Sequence, residues 1–396
     1  MIPYTQEHRM LQDSLRDFLN KEVVPNIDRW EKEKTCPAQL FKMMGDQGYI
    51  GVNYPSEYGG SEMDFWSAVI VMGELSYINF GGFTGSFYAH TYLPLPLINA
   101  LGTEKQKQNY LKPALLGDKI AGLAITEPGA GSDVAGLKTK AEDKGDHYLV
   151  NGSKTFITNG TIGDFVVLVT RTGPKHDMTL LLVDLASSGI TKNPITDKLG
   201  WHSSDTSQLF FDNVKVPKEN VLGEEHKGFY YLMNNIQEER LLMAVMASYA
   251  ARFAYDKTLR YVKEREAFGK RLSDLQALRH KIADMATKLE ACEAITGTAI
   301  REFIENGSAA TNRITKAKIY TAETAMEIIN DAIQLHGGVG YIEEFGLARV
   351  WRDVRLFSIG AGSSEIMREI IGKFEIDGVV HEKLYINSRG GVNLSA

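Results

Sequence analysis

The hydrophobic period of this chain changes twice, and that double switch restricts the fold more than any single motif does. From Glu7 to about Lys119 apolar residues such as Leu11, Leu15, Phe18 and Leu19 recur three and four apart, as on an amphipathic helix. Thr5 stands where it can cap the first of these helices, and turns fall at 53–60 and 102–104. From Ile120 to about Gly223 the apolar residues come in short β-branched and aromatic runs, at 121–125, 147–150, 165–169, 179–183 and 209–211. From His226 onward long amphipathic helices return, broken near Gly269-Lys270, Asn306-Gly307 and Gly337 to Gly340. The pattern predicts an α+β protein with a helical domain over 1–119, a β domain over 120–225 and a helical bundle domain with a tail over 226–396. The central runs are too close-set for helices between them, which argues against a doubly wound sheet and favours a compact antiparallel sheet or barrel.

With 396 residues the chain is long enough for two or three packed domains. A net charge of -6 argues against a nucleic-acid partner, which requires a basic face to displace counterions. No run is long and uncharged enough for membrane insertion. Cys36 and Cys292 stand far apart, without metal-ligand spacing, and are expected to be buried free thiols. His90, His202 and His336 each stand alone, so no metal site is expected. The N-terminus carries no leader pattern, giving a cytoplasmic expectation, or the mitochondrial matrix if a presequence has been removed.

Five short blocks carry candidate chemistry. Thr126-Glu127-Pro128-Gly129-Ala130-Gly131-Ser132-Asp133 lacks the spacing of a nucleotide-binding glycine loop, and alone it is a tight turn. Its hydroxyls at Thr126 and Ser132, and its glycines at 129 and 131, also suit close backbone approach to a ligand. Phe156-Ile157-Thr158-Asn159-Gly160 alone is a strand ending in an Asn-Gly turn. Arg265-Glu266-Ala267-Phe268-Gly269 alone is a surface arginine and a core phenylalanine. Gln334-Leu335-His336-Gly337-Gly338 and Gly360-Ala361-Gly362-Ser363-Ser364-Glu365 complete the set. In this order, and over essentially the whole chain, the blocks resemble the acyl-CoA dehydrogenase family.

The resemblance implies an N-terminal helical domain, a central antiparallel β-barrel-like domain and a C-terminal four-helix bundle. It implies FAD as cofactor, contacted by Thr126, Gly131, Ser132, Phe156, Thr158, Ser363 and Glu365. In the family Phe156 would cover the flavin ring and the Thr158 hydroxyl would lie near N5, the hydride acceptor. Arg265, Phe268, Leu275, Gln276, Gln334, Gly337 and Gly338 would reach a dinucleotide across a subunit boundary, the Arg fork suiting a pyrophosphate. Such sharing implies a homotetramer. An electron-transferring flavoprotein is the implied electron acceptor.

Oxidising a saturated thioester needs a base at the α-carbon. Many family members carry it as glutamate in a Tyr-Glu-Gly-Thr turn, matched here by Gly360-Ala361-Gly362-Ser363, and alanine is no base. In the isovaleryl-CoA and long-chain acyl-CoA dehydrogenase type the base is a helical glutamate before an arginine, matched by Glu239-Arg240. Glu238 is the immediate rival, but adjacent helical residues point about 100° apart, so only one of the two faces the substrate. Glu365 is a second rival. Ser132, Gln237, Arg240, Gly360, Ala361 and Gly362 are expected along the acyl-CoA, with the Ala361 N–H polarising the thioester oxygen. Gly360 in place of a bulky tyrosine, and Pro94 and Pro96 interrupting the helix at the pocket floor, imply room for a long or branched acyl group. Asp353 is expected to be a structural ion-pair residue. The alternatives are an oxygen-using acyl-CoA oxidase-like flavoprotein or nitroalkane oxidase, and a non-catalytic acyl-CoA-binding or assembly protein that has lost its base.

Overall fold

The structure, a computed structural model, describes residues 4–174 and 177–380. The polar tail from 381 to 396 lies outside the described residues. The N-terminal helices are α1 (Gln6–Phe18), α2 (Ile27–Glu33), α3 (Gln39–Asp46), α4 (Phe65–Tyr77), α5 (Gly81–Thr91) and α6 (Pro94–Leu101), followed by short α7 (Glu104–Gln106) and α8 (Lys112–Leu115). Thr5 caps α1 as expected: its Oγ1 accepts the His8 N–H at 3.3 Å, while the His8 ring accepts the Thr5 N–H at 3.2 Å. Pro94 occupies the first turn of α6, where its missing N–H costs nothing, so the prolines separate α5 from α6 without kinking either. Among the described residues no helix is long and apolar enough to cross a membrane.

The middle of the chain forms an eight-stranded sheet: β1 (Ala121–Ala124), β2 (Lys140–Asp143), β3 (His147–Thr158), β4 (Phe165–Arg171), β5 (Met178–Asp184), β6 (Ile190–Pro194), β7 (Thr206–Pro217) and β8 (Val221–Leu222). Strand order is β6-β7-β3-β2-β4-β5-β8, with β1 on β4. Most pairings are antiparallel, as expected, but β1 and β2 both run parallel to β4. They occupy successive stretches of one edge, β1 opposite 165–168 and β2 at Arg171, so the segment between them is pushed out of the sheet. That segment holds the Thr126 to Ser132 block.

The C-terminal part is built on α9 (Gly228–Glu264), a hairpin of β9 (Glu266–Ala267) and β10 (Lys270–Arg271), α10 (Gln276–Asn306) and α11 (Thr311–His336), with α12 (Leu347–Val354) and α13 (Ser364–Glu375) against α11. The fourth layer of the bundle is two short helices, because the glycines of the 360–362 turn interrupt it.

The three parts meet on α5. A Cβ at Gly81 would collide with the Asp353 carboxylate, at Gly82 with Ser203 and Ser204, and at Gly85 with the Trp201 ring. Through this bare face the loop before β7 and helix α12 close onto the N-terminal helices. Asn159 ties the same region to the sheet, its Nδ2 donating to Ser86 O at 2.9 Å and to Ala121 O at 3.1 Å. Asp353 departs from the ion-pair expectation. Its Oδ1 accepts the Trp201 N–H at 2.6 Å, burial pushes its carboxyl up to about 7 with Glu31 adding to the rise, and Arg349 pairs instead with Asp28 at 2.5 Å.

Gly82→Ala should therefore cost about 1–3 kcal/mol through overpacking. Gly372→Ala, inside α13 with nothing within 4 Å of the new methyl, should stabilise by about 0.4–1 kcal/mol. Urea denaturation of the two variants checks the contrast.

Candidate active site

The ejected segment between β1 and β2 is anchored from beneath. Lys154 Nζ, fully buried, donates to Ile125 O at 2.9 Å and to Glu127 Oε1 at 2.8 Å, and Glu127 also accepts the N–H groups of Lys138 and Thr139 at 2.6 and 2.8 Å. Removing one partner of such a buried pair leaves a charge uncompensated, so the anchor is strong only as a unit. The Thr155 N–H adds a bond to Thr126 O at 2.8 Å. Above this floor Gly129 and Gly131 face open space and Ser132 is exposed. Neither Lys154 nor Glu127 was singled out from sequence, although Glu127 lies inside one quoted block and Lys154 just before another.

Phe156 sits where the β3–β7 register slips between Lys154 and Ile157, a β-bulge that turns its side chain out of the sheet. Its φ is 59° and its ring is 66% exposed. A large apolar ring displayed in a left-handed backbone conformation carries strain that needs a compensating partner. Thr158, two residues on, is half-buried at the strand end.

A second cluster joins α9, α11 and the 360–362 turn. Arg240, buried, donates from Nε to Ala361 O at 3.1 Å, and Lys318, buried on α11, donates from Nζ to Gly362 O at 2.5 Å. Ala361 and Gly362 have φ of 53° and 96°, a turn that exposes both carbonyls to these cations. Among the described residues the Ala361 N–H has no acceptor.

Glu239, beside Arg240, feels both cations. Burial pushes its carboxyl up to about 7 against the pull of Arg240 and Lys318. Lys318 itself is lowered to about 8 by burial and by Arg240. Glu238 is also raised to about 7, by burial alone, and its charge acts on Tyr54 and Tyr92 of the N-terminal part. Both acids act on Tyr88, but only Glu239 lies beside the two cations and only Glu238 acts on Tyr54 and Tyr92. Glu365 is exposed in the first turn of α13 with its carboxyl lowered, first by a backbone N–H and then by Ser363. Gln237 is buried and its amide donates to Met233 O of the same helix at 3.1 Å. A methyl at Gly360 would meet the flexible end of Met243 at 3.2 Å.

The third group lies elsewhere in the chain. Arg265 follows the end of α9, and from Glu239 to that end the helix runs about 38 Å. Phe268 and Gly269, at φ 55° and 71°, make the two-residue loop between β9 and β10, and the Phe268 ring is 94% exposed. Tyr261 stacks on His336 at 4.2 Å, which brings the end of α9 beside exposed Gln334, Gly337 and Gly338. Gln276 is exposed and Leu275 half-buried just past the hairpin. A single chain therefore does not bring Arg265 to its own Glu239.

His90, His202 and His336 each bond a backbone carbonyl, and among the described residues no three His, Cys, Asp or Glu cluster as a metal site. Cys36 and Cys292 are buried and free.

Family models match the chain in three successive pieces: the N-terminal domain of acyl-CoA dehydrogenase over 5–118, its middle domain over 122–214 and its C-terminal domain over 226–375. The chain belongs to the acyl-CoA dehydrogenase family. The long-chain specific acyl-CoA dehydrogenase, mitochondrial, of Sus scrofa is 36% identical over 96% of this chain and 88% of its own. A caffeyl-CoA reductase-Etf complex subunit, CarC, of Acetobacterium woodii is 38% identical over 93% and 98%. Among solved structures, an acyl-CoA dehydrogenase from Geobacillus kaustophilus superposes with TM-score 0.90 at 39% identity, covering 94% of this chain and 99% of that one. A glutaryl-CoA dehydrogenase from Mycobacterium smegmatis in complex with FADH2 superposes with TM-score 0.88 at 28% identity, over 93% and 94%. This acyl-CoA dehydrogenase is accordingly an FAD-dependent oxidoreductase acting on acyl-CoA. The exposed rings of Phe156 and Phe268, the open space at Gly129, Gly131, Gly337 and Gly338, and the Arg265 cation fit a large, partly aromatic, anionic cofactor.

A carboxyl raised in the folded state keeps its proton where the unfolded chain has lost it, so its contribution is present below about 4.5 and lost as pH rises through about 7. Glu239→Gln cannot ionise. Its thermal midpoint should gain on the parent protein between pH 5 and pH 8, as read by calorimetry across that range.

Proposed function

We propose that this enzyme oxidises the Cα–Cβ bond of a long-chain or branched acyl-CoA to the 2,3-enoyl thioester, with Glu239 as base. The observation that carries this reading is a methyl group at Ala361 combined with a half-buried carboxyl at Glu239 whose pKa is raised, joined to the same turn through Arg240 and Lys318. Glu239 takes the α-hydrogen as a proton, and the β-hydrogen leaves with its electron pair. Bound FAD supplies the acceptor for that pair. A carboxyl near 7 is matched to proton abstraction at neutral pH, and Glu365, lowered and exposed, is not. As negative charge builds on the thioester oxygen, the unpartnered Ala361 N–H is the available donor, held in aim by the cations on the neighbouring carbonyls. This donor belongs to the backbone, so the turn keeps a task after losing its acid.

Thr126, Gly131, Ser132, Phe156 and Thr158 would hold the cofactor within one chain, with Ser363 and Glu365 beside it. Arg265, Phe268, Leu275, Gln276, Gln334, Gly337 and Gly338 would serve the cofactor of a neighbouring subunit, which the roughly 38 Å along α9 supports. A homotetramer follows from that sharing, and the three-domain division at 119/120 and 225/226 belongs to the same reading. Ser132, Gln237, Arg240, Gly360, Ala361 and Gly362 would line the acyl-CoA, with the Met243 methyl and then Leu356 next to Gly360. The Acetobacterium woodii relative, named for a complex with an Etf, supports an electron-transferring flavoprotein as partner. The same relative is named a reductase, and the reverse reaction would use Glu239 in its protonated form at the same position.

Glu239→Gln should retain FAD and slow anaerobic flavin reduction by acyl-CoA roughly 10²- to 10⁴-fold. Ala361→Glu in that background should restore part of the rate with straight chains and little with β-branched ones, because the new side chain fills the room beside Gly360. Loss of reduction in Glu238→Gln instead of Glu239→Gln would assign the base to Glu238.

The purified protein should be yellow, with one FAD per chain, and tetrameric by light scattering. Arg265→Ala should lower FAD occupancy. Colourless monomers that take up no FAD would contradict the shared-site reading.

A further inference from the structure

Directly beside Glu239 lies a group of polar atoms that the reaction does not use. The α9 segment that carries Glu238 packs on residues 88–93: Tyr88 Oη donates to Glu239 O at 3.0 Å, and Asn235 Nδ2 to Leu93 O at 3.1 Å. Opposite it, Tyr92 is fully buried and its hydroxyl has no hydrogen-bond partner among the described residues, and the Thr91 hydroxyl is in the same condition. Tyr54, also buried, donates to Thr91 O at 2.5 Å and orders that stretch. Glu238 forms no hydrogen bond or ion pair among the described residues, and no cation contributes to its environment. Buried hydroxyls without partners are rare because each forfeits its hydration without return, and the half-buried Glu238 carboxyl acts on the Tyr92 phenol from nearby. A pocket meant only for hydrocarbon would be served by phenylalanine, valine and leucine at these places.

We propose that Tyr92 and Glu238 form a polar subsite for the acyl chain, and that the preferred acyl group carries a hydroxyl at the carbon that reaches them. The inference rests on the dehydrogenase reading above and names the substrate class of that same site. A hydroxyl satisfies both partners, donating to Glu238 when it is ionised and accepting from it when protonated, while pairing with the Tyr92 phenol. A chain ending in carboxylate is disfavoured, since no cation stands near Glu238 to receive it. An unsubstituted chain would leave both groups desolvated and unpaired, and sites built around a hydroxyl discriminate strongly against the analogue that lacks it.

The test uses the FAD-loaded enzyme and a saturated twelve-carbon acyl-CoA, compared with the same chain carrying one hydroxyl moved carbon by carbon from the fifth to the twelfth. One readout is kcat/KM for flavin reduction. The other is the dissociation constant in the Glu239→Gln background by calorimetry, which needs no turnover. At one hydroxyl position the preference over the plain chain should be roughly tenfold or more, the worth of one hydrogen bond. Tyr92→Phe and Glu238→Leu should each remove most of that preference while the plain chain binds as well or better, and Glu238→Gln should keep it. Equal or better use of the plain chain at every position overturns the proposal, as does a preference untouched by Tyr92→Phe and Glu238→Leu. If no thioester of either set reduces the flavin, the dehydrogenase reading fails instead, and the calorimetric arm still decides the subsite.

Discussion

The bare glycine face of α5 is the constraint on which the rest of the molecule depends. Three separately patterned parts of the chain meet there, and they can meet only because Gly81, Gly82 and Gly85 present backbone to Asp353, Ser203 and Trp201. Close packing then turns a steric allowance into a fixed geometry, since interiors tolerate neither voids nor excess methylenes. The Asn159 amide bridges the same helix to the start of β1, so the floor of the ejected 126–132 segment and the docking of α12 refer to a single element. Without that common reference the loop, the bulged Phe156 and the α9 carboxylates would belong to bodies free to drift relative to one another.

Three of the non-glycine residues in left-handed backbone conformations stand where ligands are expected. Phe156, Phe268 and Ala361 all adopt positive φ, which costs of order 1–3 kcal/mol for a residue with a side chain. Each is held by its surroundings: a register slip opposite β7, a two-residue hairpin loop, and two cations on successive carbonyls. In every case the strained backbone displays something outward, a ring or an N–H group, and the Ala361 N–H has no acceptor among the described residues.

Much of this was legible in the sequence. The two changes of hydrophobic period reported helix, sheet and helix, because period depends on which face is buried and little else. Thr5 was readable as a cap, and Ala361 together with Glu239-Arg240 pointed to one carboxylate among fifty acidic residues. Other features were not legible. The parallel pairing of β1 and β2 on β4 is a long-range choice that leaves no local trace, and short strands such as β6 and β8 carry too few apolar residues to announce themselves. Lys154 and Lys318 look like ordinary surface lysines in one dimension. Only the fold reveals that they are buried against Glu127 and Gly362. Asp353 misled for the opposite reason: flanked by Arg352 and Arg355 in sequence, it faces a backbone N–H in space.

Helix α9 also acts as a ruler. Glu239 near one end and Arg265 just past the other are separated by a rod whose length is set by residue count, at 1.5 Å and 100° for each residue. Inserting or deleting one residue between them would swing the hairpin and its Phe268 by more than a quarter turn while leaving the composition almost unchanged. Substitution along this stretch leaves the spacing of its ends intact, whereas a change in its length moves the hairpin as a whole. The evolutionary history of such a helix should be one of exchanged side chains and an unaltered number of residues.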